Sequence, residues 1–450
     1  MLTAKAALTL LATAAATTAG VATAATETAP PPQLVVRAHE LVEFTLAGNA
    51  AREHVLVVPR ESQDAPPGLD VFTATPGTEF GPATRLRGRN VPFDDPAVAV
   101  GPDGTVAVVG LRQVTGPKDP RRLMALEREP GGEFGKPRAI SGPNAGELSL
   151  AFDRAGAATA VWSRVSGRDP FAEAVEYSTR PPRGEWSAPT RIAFEKNGVS
   201  TPQVAFDAAG DAVVVWTRDG PSKTTSKIVV STRPAAAAEF ARPKIVSDPR
   251  VYSEEPSLSV NAAGQAALTW VSATRDLEHL RVSAAFRDDP SEPFGPPRVI
   301  SSRKRDGFAP SLALDDQGRA LVTWATPGID EGSRVVSAVR SPGGPVRGRI
   351  AVSDGHSGFP HVAVAPDGRG VLAWPRHSRN GDLVQARTAS TTGGLDQTIN
   401  YSPRGAIYED VQLDIDDSGS AHLAWIRGAH HRDHLEVTLV NPATGYDRPR

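Results

Sequence analysis

Hydrophobic and polar residues alternate along this chain in short bursts, and one burst pattern keeps returning. In PQVAFDAAGDAVVVW, Val204 and Phe206 alternate with Gln203 and Ala205, the period of two that marks a half-buried strand. Asp207-Ala208-Ala209-Gly210 then turns the chain, because an Asx side chain bonds its own turn and glycine takes the positive-φ position. Asp211 to Thr217 returns almost continuously apolar through Val213, Val214, Val215 and Trp216, which predicts a strand covered on both faces. A third strand is expected at Ile228 to Thr232 and a fourth around Lys244-Ile245-Val246, after the turn Phe240-Ala241-Arg242-Pro243.

The same unit reads LSLAFDRAGAATAVW, PSLSVNAAGQAALTW, PSLALDDQGRALVTW, PHVAVAPDGRGVLAW and VQLDIDDSGSAHLAW, with PAVAVGPDGTVAVVG ahead of them. Their glycines, Gly104, Gly156, Gly210, Gly264, Gly318, Gly368 and Gly419, stand 50 to 54 residues apart. Four antiparallel strands in such a period predict the blades of a single all-β propeller. A degenerate first unit precedes them: Asn49-Ala50-Ala51-Arg52 replaces the turn, His54 to Val58 follows as second strand, and Leu69 to Phe72 with Phe80-Gly81-Pro82 completes it. Eight blades are therefore expected, with seven and an irregular first unit as the alternative.

The ends predict how the ring closes. The last unit stops at Tyr446-Asp447-Arg448-Pro449-Arg450, where others continue into a strand, and a comparable piece stands at the opposite end as Pro32-Gln33-Leu34-Val35-Val36. Leu34 to Val36 is expected to add the outer strand of the last blade, leaving no unpaired edge at the seam. Ahead of the propeller (residues 32–450), residues 1–24 read as a signal peptide, with Lys5, an apolar run from Ala6 to Ala16 and a small-residue site at Ala22-Thr23-Ala24. Residues 25–31 form a Pro-rich lead-in. The expectation is an exported protein without a membrane span, acting as a monomer.

Composition sharpens this. The chain has 41 Gly and 40 Pro in 450 residues, which suits many tight turns and disfavours a helical bundle. A net charge of -2 offers no global field for nucleic acid or an anionic membrane. The absence of cysteine excludes disulfides, thiolate metal sites and Cys nucleophiles.

With its repeat pattern on the page, the chain resembles secreted bacterial β-propeller repeat proteins, at the level of the sialidase-like superfamily fold. Its turn spacing is Asp-x-x-Gly-x-x-x-x-x-Trp, whereas the sialidase Asp-box reads Ser-x-Asp-x-Gly-x-Thr-Trp, and no Phe/Tyr-Arg-Ile-Pro segment is present. The resemblance implies the fold and does not extend to sialidase activity.

Trp162, Trp216, Trp270, Trp324, Trp374 and Trp425 recur at the end of the second strand, where packing between blades is the expected role and sugar stacking the alternative. Two residues further on stand Arg60, Arg112, Arg164, Arg218, Arg376 and Arg427. They could form a cationic ring for carboxylated or sulfated sugars. The competing account is salt bridges with acids just before the first strand, namely Asp95 with Arg112, Glu147 with Arg164 and Asp410 with Arg427, while Glu255 precedes the first strand of another unit. The entry loops also carry Asp94, Glu254, Asp306 and Glu409, interleaved with Phe93, Tyr252, Phe308, Phe359 and Tyr408, a composition suited to a saccharide rim.

His430, His431 and His434 lack a helical metal frame, and Asp414, Asp416 and Asp417 lack calcium-loop spacing, so no metal and no cofactor is expected. The leading expectation is a binding protein for a glycan or another extracellular protein. Its ligand residues would be Arg112, Arg164, Arg218, Arg376, Arg427, Asp95, Glu147, Glu255, Asp410, Tyr252 and Tyr408. A glycan-active hydrolase or lyase using rim carboxylates, and a non-catalytic envelope scaffold, are the alternatives.

Overall fold

The computed structural model describes residues 29, 31–38, 41, 43–49, 53–60, 67–88, 90–112, 120–166, 171–222, 225–274, 277–328, 332–353, 355–429 and 432–440, excluding the side chains of 408–410, 429 and 432. The expected signal peptide lies outside the described residues, as do His430 and His431. The described chain is all-β and forms eight four-stranded antiparallel sheets arranged as a propeller. In order, the blades span residues 45–87, 94–139, 145–195, 199–245, 252–299, 308–351, 361–400 and 406–440.

Blades one to seven run consecutively from inner to outer strand. Among the described residues blade eight takes three strands from its own segment, and Gln33–Ala38 pairs antiparallel with Arg432–Val440 as the fourth. The ring thus closes by joining the two ends of the described chain, as the sequence predicted. Among the described residues no helix is long and apolar enough to cross a membrane.

The second strands form the body of the disc. Val213, Val214, Val215 and Trp216 are almost fully buried, and the other repeat tryptophans are equally enclosed. Each indole packs backward onto the preceding blade: Trp216 meets Val161 and Val175, and Trp270 meets Val213 and Val215. The tryptophans therefore hold neighbouring blades together and present no stacking surface. The first two blades carry Val58 and Gly110 at the equivalent positions. Phe44, Phe72 and Phe80 fill the seam beside blade eight, while Pro92 and Pro96 crowd the space a side chain on Gly110 would need.

The innermost strands differ, because most of their residues are only half-buried and wall an axial channel. Polar side chains stitch neighbouring walls together. The Gln203 amide accepts from the Leu258 N–H (2.9 Å) and donates to the Pro256 carbonyl (2.5 Å). Gln412 does the same for Leu46 (2.8 Å) and Phe44 (2.6 Å) on the opposite side of the ring. Ser149 and Ser311 accept from Val204 and Val362, both at 3.2 Å.

Candidate functional site

One face of the disc carries the entries to the inner strands together with the loops joining second and third strands. We call it the entry face; the opposite face carries the inner hairpin turns. The inner strands of blades two to six and eight shift register near their start, which marks a bulge at the channel mouth. In four of these the bulged residue has positive φ and precedes proline: Asp95 (50°), Thr201 (50°), Glu255 (53°) and Ala309 (47°). A non-glycine residue pays about 1–2 kcal/mol for that conformation, and the following proline restricts it further. Such bulges re-aim a side chain at the cost of local strain.

Glu43 and Glu147 occupy the equivalent position in blades one and three, and Phe359 precedes Pro360 at the same place in blade seven. These side chains reach around the mouth from blade to blade. Glu43 Oε1 accepts the Asp95 N–H at 3.1 Å, and Glu147 Oε2 accepts the Thr201 N–H at 2.5 Å. Phe359 is 38 % exposed, and its ring meets Phe308 edge-on with centroids 6.2 Å apart.

Blades three to five add an acidic arc. The Tyr252 hydroxyl donates to Glu254, and burial first, then the Glu254, Asp219 and Glu255 carboxylates, push the phenol far above its usual range. Glu255 is exposed, yet desolvation by the surrounding rim, then the Glu254 carboxylate, holds it above the usual carboxylate range. Burial likewise raises Glu173, with Asp219 and Glu147 adding repulsion against the Val199 N–H that it accepts at 2.8 Å. Asp219 is raised by burial and by Glu254. Glu173 and Asp219 were not singled out in the sequence, since they join the arc through each other and through Glu254, on adjacent blades.

The arginines have a different fate. Arg164 pairs with Glu176 at 2.6 Å, Arg427 with Glu436, and Arg60 with Asp70 at 3.6 Å. In each case the acid lies on the third strand, opposite the residue two before the arginine, so the pair is diagonal on one sheet face. Arg164, expected to meet Glu147, is thus held by a third-strand acid, and Glu147 accepts from the neighbouring backbone. Opposite Trp216 stands Val229, and Arg218 reaches instead to Glu195 of the preceding blade at 2.7 Å. Arg112 donates to the Pro120 carbonyl at 3.3 Å. Arg376 sits at the end of the blade-seven second strand. The Tyr408 and Asp410 side chains lie outside the described residues.

Glu43, Asp94 and Asp95 bring carboxylate oxygens within 4.8 Å of one another, the donor set most suited to a cation among the described residues. Asp94 is already paired with Arg121 at 2.5 Å. On the hairpin face, a cavity of about 310 Å³ is lined by Asn49, Phe152, Arg154, Phe206 and Asp207. The Asp207 carboxylate is committed to its own turn there, accepting from Ala209 and Asp211 at 2.9 Å.

No family model matches the sequence, and no curated protein matches it. The fold is similar to that of solved propellers. The BP39L lectin from Burkholderia pseudomallei matches with a TM-score of 0.53 at 12% identity, over 81% of this chain and 100% of that one. A polysaccharide lyase, the PL25 ulvan lyase bound to -[GlcA(1-4)Rha3S]-, matches with a TM-score of 0.50 at 11% identity, over 79% of this chain and 93% of that one. These likenesses establish a β-propeller.

Proposed function

We propose that the protein is an exported binding propeller that takes a saccharide at the entry mouth of its axial channel. The observation that carries this reading is the partly exposed Phe359, braced by Phe308, on the same rim as the Asp95, Glu147 and Glu255 carboxylates. A sugar ring is amphipathic: it offers an apolar face to an aromatic ring and hydroxyl donors to carboxylate oxygens. Ala309, between Glu255 and Phe359 in ring order, presents only a methyl group there. The expected signal peptide supports a ligand outside the cell. A glycan array followed by calorimetry tests the reading: Phe359→Ala should weaken binding at least tenfold without lowering the melting temperature. Unchanged binding would refute it.

A glycan-active enzyme is the second reading. It is supported by the upward displacement of Glu173, Asp219 and Glu255 beside the Tyr252–Glu254 hydrogen bond, since holding a proton more tightly than an ordinary carboxyl is what a general acid requires. Turnover of fluorogenic glycosides, or release of unsaturated sugar ends, that is abolished by Asp219→Asn or Glu255→Gln would favour it. Binding without turnover would return the protein to the first reading.

A further inference from the structure

On the entry face, between blades five and six, an opening of about 690 Å³ is lined by His279, Arg281, Arg303, Lys304 and Arg305, with Glu278, Asp306, Pro327 and Gly328. Arg303-Lys304-Arg305 is the only run of three consecutive cations in the chain, and it includes one of just 8 lysines.

The loop that carries it is held rigidly from below. The Arg281 guanidinium donates to the Asp306 carboxylate (3.0 Å), the Arg303 carbonyl (2.9 Å) and the Leu280 carbonyl (2.6 Å). The Lys304 N–H donates to Ser302 Oγ (3.1 Å), the Gly307 N–H to the Leu280 carbonyl (3.1 Å) and the Thr326 hydroxyl to the Asp306 carbonyl (2.7 Å). Arg281 and Asp306 therefore neutralise each other as a brace.

Arg303, Lys304 and Arg305 remain exposed, with no ion pair among the described residues. Elsewhere on this face Arg164, Arg218 and Arg427 are all consumed by carboxylates. A loop that presents three unpaired cations on a fixed backbone has its donors arranged for an anion before the anion arrives. The blade-six loop continues through residues 329–331, outside the described residues.

The loop leads straight into the mouth. Asp306 and Phe308 are two residues apart, so at most about 7 Å of chain separates the cationic opening from the aromatic rim. We propose that this opening is a subsite for the anionic substituent, sulfate or carboxylate, of a saccharide whose ring lies at the channel mouth. The inference rests on the saccharide reading above and narrows its ligand to an acidic glycan. The arc of Glu173, Asp219, Glu254 and Glu255 would repel a uniformly charged polyanion, so the preferred ligand alternates charged and neutral residues.

The test titrates the full chain with three oligosaccharides of equal length: one sulfated, its desulfated parent, and one carrying a uronate in place of the sulfate. The proteins are the wild type, Arg303→Ala/Lys304→Ala/Arg305→Ala, and Phe359→Ala. The wild type should bind an anionic ligand about tenfold or more tighter than the neutral parent, the scale of one or two charge-assisted hydrogen bonds. Raising the salt concentration should erode that preference. Whether sulfate or uronate gains more identifies the substituent.

The triple variant should lose the preference while its affinity for the neutral parent and its melting temperature stay unchanged. Phe359→Ala should weaken all three ligands alike. A triple variant that keeps the full anionic preference overturns the subsite and leaves the mouth reading intact. Loss of binding to neutral and anionic saccharides alike in the wild type overturns both.

Discussion

The two faces of the disc come from one repeat yet carry different chemistry. On the hairpin face blades two to eight repeat nearly the same turn, and their seven repeat glycines all adopt positive φ, between 72° and 95°. Adjacent turns are bonded around the ring: the Ala208 N–H donates to the Ala262 carbonyl (3.1 Å), and Asp316 to Pro366 (3.0 Å). Asn49 and Asn261 reach the next blade at Gly101 (2.7 Å) and Asp315 (2.8 Å). On the entry face the equivalent positions run Glu43, Asp95, Glu147, Thr201, Glu255, Ala309, Phe359 and Asp410, carboxylates interrupted by a hydroxyl, a methyl and an aromatic ring. Where a side chain must satisfy the backbone of its own turn, the repeat holds. Where the bulge itself turns the chain, the side chain is released for another use.

That contrast can be broken most severely at the buried tryptophans. Trp216→Ala should destabilise the protein by about 3–5 kcal/mol, read from the denaturant midpoint, because the indole is fully enclosed against blade three. The folded fraction of that variant should bind saccharide normally. Altered affinity would show that the tryptophans do more than pack.

The seam between blades eight and one should be acid-sensitive. The rings of buried His54 and His422 lie 4.2 Å apart, and burial, then the His54 charge, lower His422 from 6.5 to about 4. The unfolded state then binds a proton that the native state refuses. Stability is therefore full above pH 6.5 and declines as the pH falls toward about 4. His422→Gln should flatten that part of the profile, measured by thermal melts across pH. An unchanged slope would assign the acid sensitivity elsewhere.

The turns should respond more modestly. Asp207→Ala removes the acceptor for two backbone N–H groups and should cost about 1–3 kcal/mol without changing saccharide affinity. Glu255→Gln on the entry face should act in the opposite direction. Its carboxyl is raised above its ordinary value, so the native state holds the proton more tightly and loses relative stability as the pH rises through that range. The variant should melt slightly higher than the wild type at pH 7, with the gain vanishing in acid. A lower melting temperature at neutral pH would mean that Glu255 is a structural bond rather than a strained rim group.

Much of the fold was legible because each turn states its own physics locally: Asp207 accepts from its turn, Gly210 supplies the positive φ, and Trp216 closes the buried strand. Closure was legible from the outer-strand pattern at the start of the propeller, where Gln33–Ala38 pairs with Arg432–Val440. The arginine partners were less so. Their spacing pointed to the entry acids, but which acid meets Arg164 depends on the register between second and third strands, which brings Glu176 diagonal to it. The acidic arc is harder still, because Glu173, Asp219 and Glu254 meet only when three blades stand side by side. Arg303-Lys304-Arg305 is plain in the sequence, yet its role as a braced loop depends on Arg281 beneath it.

Hydrogen exchange on the intact protein, with and without a sulfated oligosaccharide, tests the division between the two faces most directly. The account predicts added protection at the entry face, around residues 199–203, 252–256, 301–309 and 356–361, with the turns at 207–211 and 261–265 unchanged. Protection confined to those turns, or to the outer strands, would contradict it.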